Sequence, residues 1–343
     1  MASMDATGGE KELAVKMSDS VGLDEWDEMA QSCAWATFFH TPLWLAVFER
    51  GLPHHRIATK RFRFADGVTA IFPLIARSRA LGLQRGYAST AAWCYGGPIS
   101  ADPLSPAHLT AIAQAVLRAC PNLFWRLNPL APHQDALAPF VTTSDSTEIL
   151  DLAPLAGDEA LRMHYRHSVR KQVNKAGRAG ICVRPATEWP QWEAYYALYE
   201  ARLAQWGDQA TSRYPLALFH ELFAAGSPNV KLWLAYLQDA LIGGNLNFYH
   251  GRHCVEWHAA FNADYFSSGV RDFLVDWIIR DARDRGVVLY DFNPSGEHEG
   301  SRRFKQTFGT SSYPSDVIVR RSAASRLALA YRNRRKRAEA PPA

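Results

Sequence analysis

The sequence predicts an α/β fold of the mixed α+β kind, with two domains in tandem that are each a mixed sheet flanked by helices. The chain of 343 residues is long for a single hydrophobic core. Helical and extended apolar patterns follow one another in the same order in both halves. In each half this series closes with an extended segment that ends in Asn-Pro, LFWRLNP at 123–129 and VLYDFNP at 288–294. A shared order and a shared ending favour a duplicated fold.

The predicted elements run in parallel through the two halves. In the first half they are a helix in WLAVFERGL (44–52), extended segments in GVTAIFPLIAR (67–77) and AAWCYGGPIS (91–100), a helix in PAHLTAIAQAVLRAC (106–120) and a strand at 123–130. In the second half they are LALFHELFAAG (216–226), ALIGGNLNFYHG (240–251), CVEWHAAFN (254–262), GVRDFLVDWIIRDARDRG (269–286) and a strand at 288–295. We therefore expect a flexible N-terminus (1–20), domains at 21–150 and 151–320, and a basic tail (321–343).

Between the halves lies a basic segment, MHYRHSVRKQVNKAGRAG (163–180), which predicts a helix. Its apolar residues repeat at helical spacing and form one stripe: Tyr165, Val169, Val173 and Ala176. The cations fall on the remaining surface and would attract a polyanion, although a solvated face explains them equally well. A second helix follows in WPQWEAYYALYEARLAQWG (189–207), from which Arg202 could reach a pocket. The basic tail permits a short amphipathic helix around Leu327, Leu329 and Tyr331.

Composition excludes several classes of protein. Apolar residues make up 48% and charged residues 21% of a chain with a net charge of +4, as in soluble globular proteins. The five cysteines form no CxxC pair, which predicts reduced thiols and a cytoplasmic location. No segment approaches the ~20 apolar residues of a membrane span, so no integral membrane segment is expected. Phosphate-loop, GxSxG and HExxH motifs are missing, and no metal site is predicted.

Polar side chains interrupt the apolar segments of the second half. In the strand at 254–262, alternation places Glu256 and His258 on one face and Trp257 on the core face, so this pair could hold or deprotonate an amine. The alternative is that both side chains merely satisfy local hydrogen bonds. Ser268, Gly269 and Arg271 open the next helix as a candidate phosphate site, or simply as a helix cap. After 288–295 we expect a basic, glycine-rich loop.

Four motifs resemble the Fem-type branch of the GNAT acyltransferases. They are HTPLWLAVF (40–48), YGGPIS (95–100), RHSVRKQVNKAGRAG (166–180) and YDFNPSGEHEGSRRFKQTFG (290–309), within a similarity that covers roughly residues 20–320. The resemblance implies two GNAT-like domains, the second binding the donor, and acyl transfer to amines. It places Lys305 of FKQTFG beside the terminal phosphate and reacting carbonyl of the donor. The long helical arm of larger Fem enzymes and the two-glycine pyrophosphate pattern of ordinary GNAT proteins are both missing.

The resulting hypothesis is an aminoacyltransferase that uses aminoacyl-tRNA as co-substrate, without a bound cofactor, and forms an amide on a small-molecule or peptide amine acceptor. The predicted catalytic residues are Lys305, His258 and Glu256. The predicted donor-binding residues are Arg170, Lys171, Lys175, Ser268, Gly269, Arg271, Arg303 and Phe304. The predicted acceptor-binding residues are Tyr95, Gly96, Tyr199, Arg202 and Asn293. The alternatives are an acyl-CoA-dependent N-acyltransferase and a non-catalytic binding module, and the chain is expected to be a monomer.

Overall fold

A computed structural model describes residues 13–79, 84–206, 213–296 and 298–327. The first half contains β1 (Val15–Ser18), α1 (Leu23–Ser32), α2 (Pro42–Gly51), β2 (His55–Ile57), β3 (Lys60–Phe64), β4 (Thr69–Phe72), β5 (Ile75–Arg79), β6 (Gln84–Ala88), α3 (Pro106–Ala119) and β7 (Leu123–Arg126). The second half contains β8 (Ser146–Asp151), α4 (Gly157–His164), α5 (His167–Arg178), β9 (Ile181–Pro185), α6 (Trp189–Trp206), α7 (Leu216–Ala224), β10 (Val230–Leu237), β11 (Ala240–His250), β12 (His253–Phe261), α8 (Val270–Asp284), β13 (Leu289–Asp291), α9 (Glu299–Gln306), β14 (Ser311–Pro314) and β15 (Val317–Arg320).

The strands form two mixed sheets and one small antiparallel sheet. Their orders are β14-β8-β13-β12-β11-β10-β9, β15-β7-β6-β5-β2 and β1-β3-β4. Each mixed sheet contains one parallel pair joined by a helix, β6-α3-β7 in the first half and β12-α8-β13 in the second. This repeated strand-helix-strand unit is the one that ends in Asn-Pro in both halves. The predicted fold class is confirmed.

Two strands pair across the boundary expected at residue 150. The strand β8, most of which precedes that residue, pairs with β13 and β14 in the seven-stranded sheet. The strand β15 follows the whole second sheet in the chain but pairs with β7 of the first. The halves also share a core, in which Phe248 stacks on Phe38 at 4.6 Å and meets the edge of Trp44 at 5.0 Å. The two sheets are therefore joined by both pairing and packing.

Helices cover the two faces of the seven-stranded sheet. The helices α6 and α7 pack on one face together with α1 and α2 of the first half, while α5 and α8 pack on the other. The predicted stripe on the basic segment is confirmed, because Tyr165, Val169, Val173 and Ala176 are all buried. No described helix combines the length and the apolar character needed to cross a bilayer.

The basic segment is two helices rather than one. Tyr165 and Arg166 are extended between α4 and α5. The Arg166 N–H donates to the Thr307 carbonyl at 2.9 Å, and the Tyr165 ring meets Phe308 at 5.2 Å. These contacts pull the chain out of helical geometry, an effect of the fold that helical spacing cannot report.

Two segments expected to be extended or irregular differ from the prediction. Residues 91–100 form no strand, since Ala92 and Trp93 adopt positive φ angles of 57° and 60°. The expected basic loop after β13 contains the helix α9, which carries Lys305. Of the expected flexible N-terminus (1–20), Val15–Ser18 form β1, which pairs with β3. Residues 1–12 and the tail residues 328–343, with Leu329 and Tyr331, lie outside the described residues.

Candidate active site

The site lies where the parallel strands β12 and β13 part. They pair only between His253–Val255 and Leu289–Asp291, and β12 then continues to Phe261. On its other side β12 pairs with β11 through a bulge, because Leu246 faces His258 whereas Asn247 faces Glu256. Trp257 is the extra residue of this bulge. A β-bulge re-aims the side chains on either side of it.

The bulge overturns the predicted Glu256–His258 pair. The His258 ring points toward α6, where it meets the Tyr199 ring at 4.4 Å and accepts or donates a 2.6 Å hydrogen bond with the Tyr195 hydroxyl. Burial lowers the pKa of His258 to about 3, so this imidazole is neutral at physiological pH. Glu256 instead lies near Tyr290, whose hydroxyl is 3.5 Å from the carboxylate. The two side chains do not act as one pair.

Glu256 is the carboxylate of the cleft. Burial raises its pKa above the ordinary value for glutamate, and the nearby Lys305 and Arg271 oppose that rise. A carboxylate with a raised pKa beside cations can accept a proton from an amine near neutral pH.

Lys305 is held inside the molecule on α9, with 7% of its surface exposed. Its Nζ donates a 2.6 Å hydrogen bond to the carbonyl of Asn293. Burial lowers the pKa of this lysine, while the neighbouring Glu256 and Asp291 act in the opposite direction. A buried ammonium group fixed by one hydrogen bond retains further N–H donors for a substrate oxygen.

A buried aspartate that the sequence analysis did not single out supports this lysine. The Asp291 carboxylate is fully buried and accepts hydrogen bonds from the hydroxyls of Tyr95 (2.7 Å) and Thr147 (2.6 Å) and from the Asn293 N–H (2.7 Å). Asn293 has a left-handed backbone with φ 60°, and its carbonyl meets Lys305. The sequence does carry a signal for this residue, since it is an aspartate inside the apolar strand VLYDF. An aspartate is almost never fully buried unless it is paired.

Two arginines border the cleft on the α8 side. The Arg271 guanidinium lies over the Phe304 ring at 3.9 Å, and Arg202 from α6 lies over Phe266 at 5.3 Å. Burial lowers the pKa of Arg271, with Asp272 and Glu256 opposing this and the nearby Arg202 adding to it. Together with Lys305 they place three cations around Glu256, which suits a phosphate or a developing oxyanion.

Several predicted donor-binding residues hold the protein itself together. Arg170 donates to the last carbonyls of α4, with the Tyr165 carbonyl at 3.0 Å, and Lys175 donates to the Ser267 carbonyl at 2.5 Å. Ser268 donates to the Tyr265 carbonyl at 2.6 Å. A Cβ at Gly269 (φ 85°) would lie 2.6 Å from the Gln172 carbonyl of α5, so packing explains this glycine.

Other predicted donor-binding residues remain at the surface. Lys171 is exposed on α5. Arg303 is exposed too and forms an ion pair with Glu299 one turn earlier on α9. Of the predicted donor set, only Arg271 and Phe304 line the cleft beside Lys305.

The predicted acceptor set divides in the same way. Tyr95 is fully buried on Asp291, and a Cβ at Gly96 would lie 2.5 Å from the Ser89 carbonyl. Tyr199 is buried and its hydroxyl accepts the Tyr214 N–H at 3.0 Å. These three residues are structural supports, whereas Arg202 and Asn293 lie at the cleft. Within the described ranges, no three His, Cys, Asp or Glu side chains are grouped closely enough to hold a metal ion.

Comparison with known proteins finds a family model that matches most of the second half. Residues 163–306 match the acetyltransferase (GNAT) domain model. The chain is similar in structure to FemX (TM-score 0.66, 12% identity, 89% of this chain and 97% of that chain). It is also similar to the C-terminal domain of a lysylphosphatidylglycerol synthetase from Agrobacterium fabrum (TM-score 0.54, 13% identity, 90% and 96%) and to L-PGS from Bacillus licheniformis (TM-score 0.53, 10% identity, 90% and 96%).

A search of curated proteins found no match. The structural likeness spans both halves, and the family match covers Glu256 and the whole of α9. The resemblance drawn from the four sequence motifs is confirmed. Residues 163–306 match a GNAT domain, and the chain has the overall fold of FemX.

Proposed function

We propose that the protein is an N-acyltransferase that moves an aminoacyl group from aminoacyl-tRNA to the amine of a small or peptide-like acceptor. The observation that carries the proposal is the cleft where Glu256 and the buried Lys305 lie close together between β12 and β13. A general base and a fixed cation are the two groups that attack of an amine on an ester requires.

The residues divide this chemistry between them. Glu256 takes the proton from the attacking ammonium group, and the freed amine nitrogen bonds to the acyl carbon. Lys305 stabilises the negative charge that builds on the oxygens of the reacting ester. The bond from the acyl carbon to the donor oxygen then breaks, and the departing oxygen takes up the second proton that the nitrogen loses as the amide forms. Transfer from the thioester of acyl-CoA would follow the same steps, with sulfur as the leaving atom.

The charge distribution favours a large polyanionic donor. Lys171 and Arg178 on α5 are exposed, as is Arg166 just before the helix. This helix packs against α8, whose first turn carries Arg271, so the basic face borders the cationic side of the cleft. A duplex acceptor stem would cover both surfaces through its phosphates, which are recognised without base contacts.

One observation favours the second candidate, transfer from acyl-CoA. Arg271 is half-buried in the first turn of α8, where a small phosphate group would meet both the guanidinium and the positive end of the helix. In this case the outer cations of α5 would contribute little to donor binding.

A binding experiment separates the two donors. Filter binding of charged tRNA across a salt series should lose affinity steeply with salt, and the double variant Lys171→Ala/Arg178→Ala should reduce the slope of log K against log salt by about 1–2. The matched control removes two exposed arginines from the first half, Arg63→Ala/Arg118→Ala, and should leave the slope unchanged. Two results together would support the acyl-CoA alternative. They are a saturable calorimetric titration with acetyl-CoA and a salt slope for tRNA binding that neither double variant changes.

A second experiment tests catalysis itself. Lys305→Met keeps the length and apolar stem of the side chain but removes its charge, so we expect intact folding and loss of acyl transfer. Arg303→Met removes an exposed cation from the same helix and should transfer at the wild-type rate. Wild-type transfer by Lys305→Met would remove Lys305 from the catalytic residues. A wild-type protein that transfers no acyl group, together with unchanged donor binding in Lys305→Met, would favour the non-catalytic binding module.

The remaining features of the hypothesis stay proposals. We propose a donor-binding second domain (151–320) and an acceptor-side first domain (21–150) in a cytoplasmic monomer. Light scattering tests the monomeric state and cell fractionation tests the location.

A further inference from the structure

An exposed tryptophan stands at the edge of the cleft on a turn of unusual geometry. Trp93 is 57% exposed and follows Ala92 in a turn closed by the Cys94 N–H and the Ala91 carbonyl at 3.3 Å. Both central residues have positive φ angles, 57° and 60°, which defines a type I′ turn. Glycine, asparagine and aspartate dominate these positions because a Cβ is disfavoured there. The sequence thus places a large aromatic residue at a position where the left-handed backbone conformation disfavours any side chain.

Contacts on both sides of the turn hold the Trp93 backbone in place, so its ring has a defined position at the surface. Ala91 and Cys94 are buried, and Arg126 Nε donates to the Trp93 carbonyl at 3.1 Å. The indole meets Phe124 edge to face, with centroids 4.7 Å apart and an angle of 87° between the planes. Contact with a single ring leaves more than half of the indole open to solvent.

The turn adjoins the groups that carry the proposed chemistry. Cys94 Sγ lies 4.0 Å from the side-chain nitrogen of Asn293, the residue whose carbonyl holds Lys305. Arg126, which fixes the turn, is paired with Asp145 at 2.5 Å. Asp145 in turn is one of the carboxylates that act on Lys305. Trp93 therefore stands on the first-half side of the cleft that contains Lys305.

A partly exposed cation is linked to the same turn. Arg302 on α9 has 38% of its side chain exposed and lies 3.9 Å from one oxygen of Asp145, whose other oxygen pairs with Arg126. One ion-pair network thus joins this guanidinium group to the turn that presents the indole. An exposed aromatic face with a guanidinium group on the same network suits a ring that carries an anionic substituent.

We propose that Trp93 and Arg302 form a recognition site for the acceptor, in which a saccharide or base ring lies on the indole and its phosphate or carboxylate pairs with Arg302. The proposal rests on the proposed transferase function only in naming the ligand as the acceptor. It assigns the recognition of that molecule to residues outside the reacting groups Glu256 and Lys305.

Calorimetric titration tests the site without any donor. The probes are glucosamine 6-phosphate, which has a saccharide ring, AMP, which has a base ring, and O-phosphoethanolamine, which has the amine and phosphate but no ring. We expect at least one ring-bearing probe to bind about tenfold more tightly than O-phosphoethanolamine, and the stronger of the two identifies the kind of ring.

Variants then locate the binding. Trp93→Gly relieves the positive φ, so it should fold with an unchanged or higher melting temperature while binding the ring-bearing probe about 5- to 100-fold more weakly. Trp93→Asn, which also tolerates this backbone, guards against a folding artefact, and Trp93→Tyr should restore part of the affinity. Trp277→Ala removes a comparably exposed indole from α8 and is the matched control.

Three results would overturn the proposal: no binding of either ring-bearing probe, equal affinity for the probe without a ring, or affinity that Trp93→Gly leaves unchanged. Binding of AMP that is as tight in Trp93→Gly as in the wild type also overturns the proposal, since it comes from another site. Because no tRNA or CoA is present, each failure leaves the transferase function itself untouched.

Discussion

Tyr95 and Asp291 form a buried hydrogen bond between the two halves, and its removal has consequences that the structure defines. Both side chains are fully buried, and the Tyr95 hydroxyl lies 2.7 Å from the carboxylate. Burial and the neighbouring Asp291 keep the pKa of Tyr95 well above its ordinary value, so the hydroxyl stays protonated and donates. Tyr95→Phe deletes this donor and a longer, 3.3 Å contact between the hydroxyl and His253 Nε2.

The magnitude follows from the charge of the acceptor. Hydrogen bonds to charged groups contribute about 1.5–3 kcal/mol, and a buried carboxylate that loses a donor cannot turn to water instead. Thr147 and Asn293 still donate to Asp291, so the free energy of unfolding should fall by only about 2 kcal/mol. At about 2.1 cal/mol/K of unfolding entropy per residue, this loss lowers the melting temperature of a 343-residue chain by roughly 3 °C.

A second tyrosine provides the matched control. The Tyr249 hydroxyl donates to Asp281 at 3.1 Å, but Arg285 pairs with the same carboxylate oxygen at 2.6 Å. The Asp281 side chain is also 18% exposed. Tyr249→Phe should therefore cost less than about 1 kcal/mol.

Differential scanning calorimetry and acyl-transfer kinetics together test the argument. Tyr95→Phe should lower the melting temperature, and it should reduce kcat more than it changes KM because Asp291 positions Asn293 and through it Lys305. Equal losses in the two tyrosine variants, or an unchanged melting temperature in Tyr95→Phe, would refute the assignment of Tyr95 as a donor to a buried charge.

Three further predictions concern acid–base behaviour and packing. Burial raises the pKa of Asp272 to about 6, so its contribution to stability is present at low pH and lost as the pH rises through about 6; Asp272→Asn should raise the melting temperature at pH 7.5 but not near pH 4. Because the pKa of Glu256 is raised and that of His258 is about 3, the acidic limb of kcat/KM should persist in His258→Gln, whereas Glu256→Gln should remove most of the activity; a limb that vanishes in the histidine variant contradicts this. A Cβ at Gly244 would lie 2.6 Å from the Tyr195 ring, so Gly244→Ala should cost about 1–3 kcal/mol in urea unfolding, while Gly86→Ala, whose nearest neighbour is 4.0 Å away, should be close to neutral.

Periodicity predicted the elements well where a long apolar stripe determines them. The pattern correctly placed the stripe on α5, the helices α3 and α8, and the strands β7 and β13 that follow them, since burial of one face requires that spacing. It misplaced the strand before α3, which is β6 at Gln84–Ala88 and not residues 91–100. Lys305 was found through its motif, and the structure adds that it is buried. These features follow from local patterns, the spacing of apolar residues and a short motif, and both can be read in the sequence.

The site was predicted less completely because a few contacts between distant segments determine it. A single extra residue at Trp257 separates Glu256 from His258, and a strict period of two cannot show where a strand bulges. The sequence does not distinguish Arg170 from the other cations of the basic face, because its hydrogen bonds to the carbonyls at the end of α4 depend on how α4 and α5 pack. Asp291 depends on two hydroxyls that are remote in sequence.

The same buried aspartate explains why the first half matters to a site whose reacting groups all come from the second. Tyr95 precedes the second sheet and Thr147 lies on β8, the strand that crosses between the halves, yet both end on the carboxylate that holds Asn293. Lys305 is thereby fixed before any substrate arrives, and a fixed cation stabilises developing charge without first having to be ordered. At the rim, the exposed Trp93 ring packs on Phe124 and not on that network. Substrate preference can therefore change at the rim while the geometry of Glu256 and Lys305 stays the same.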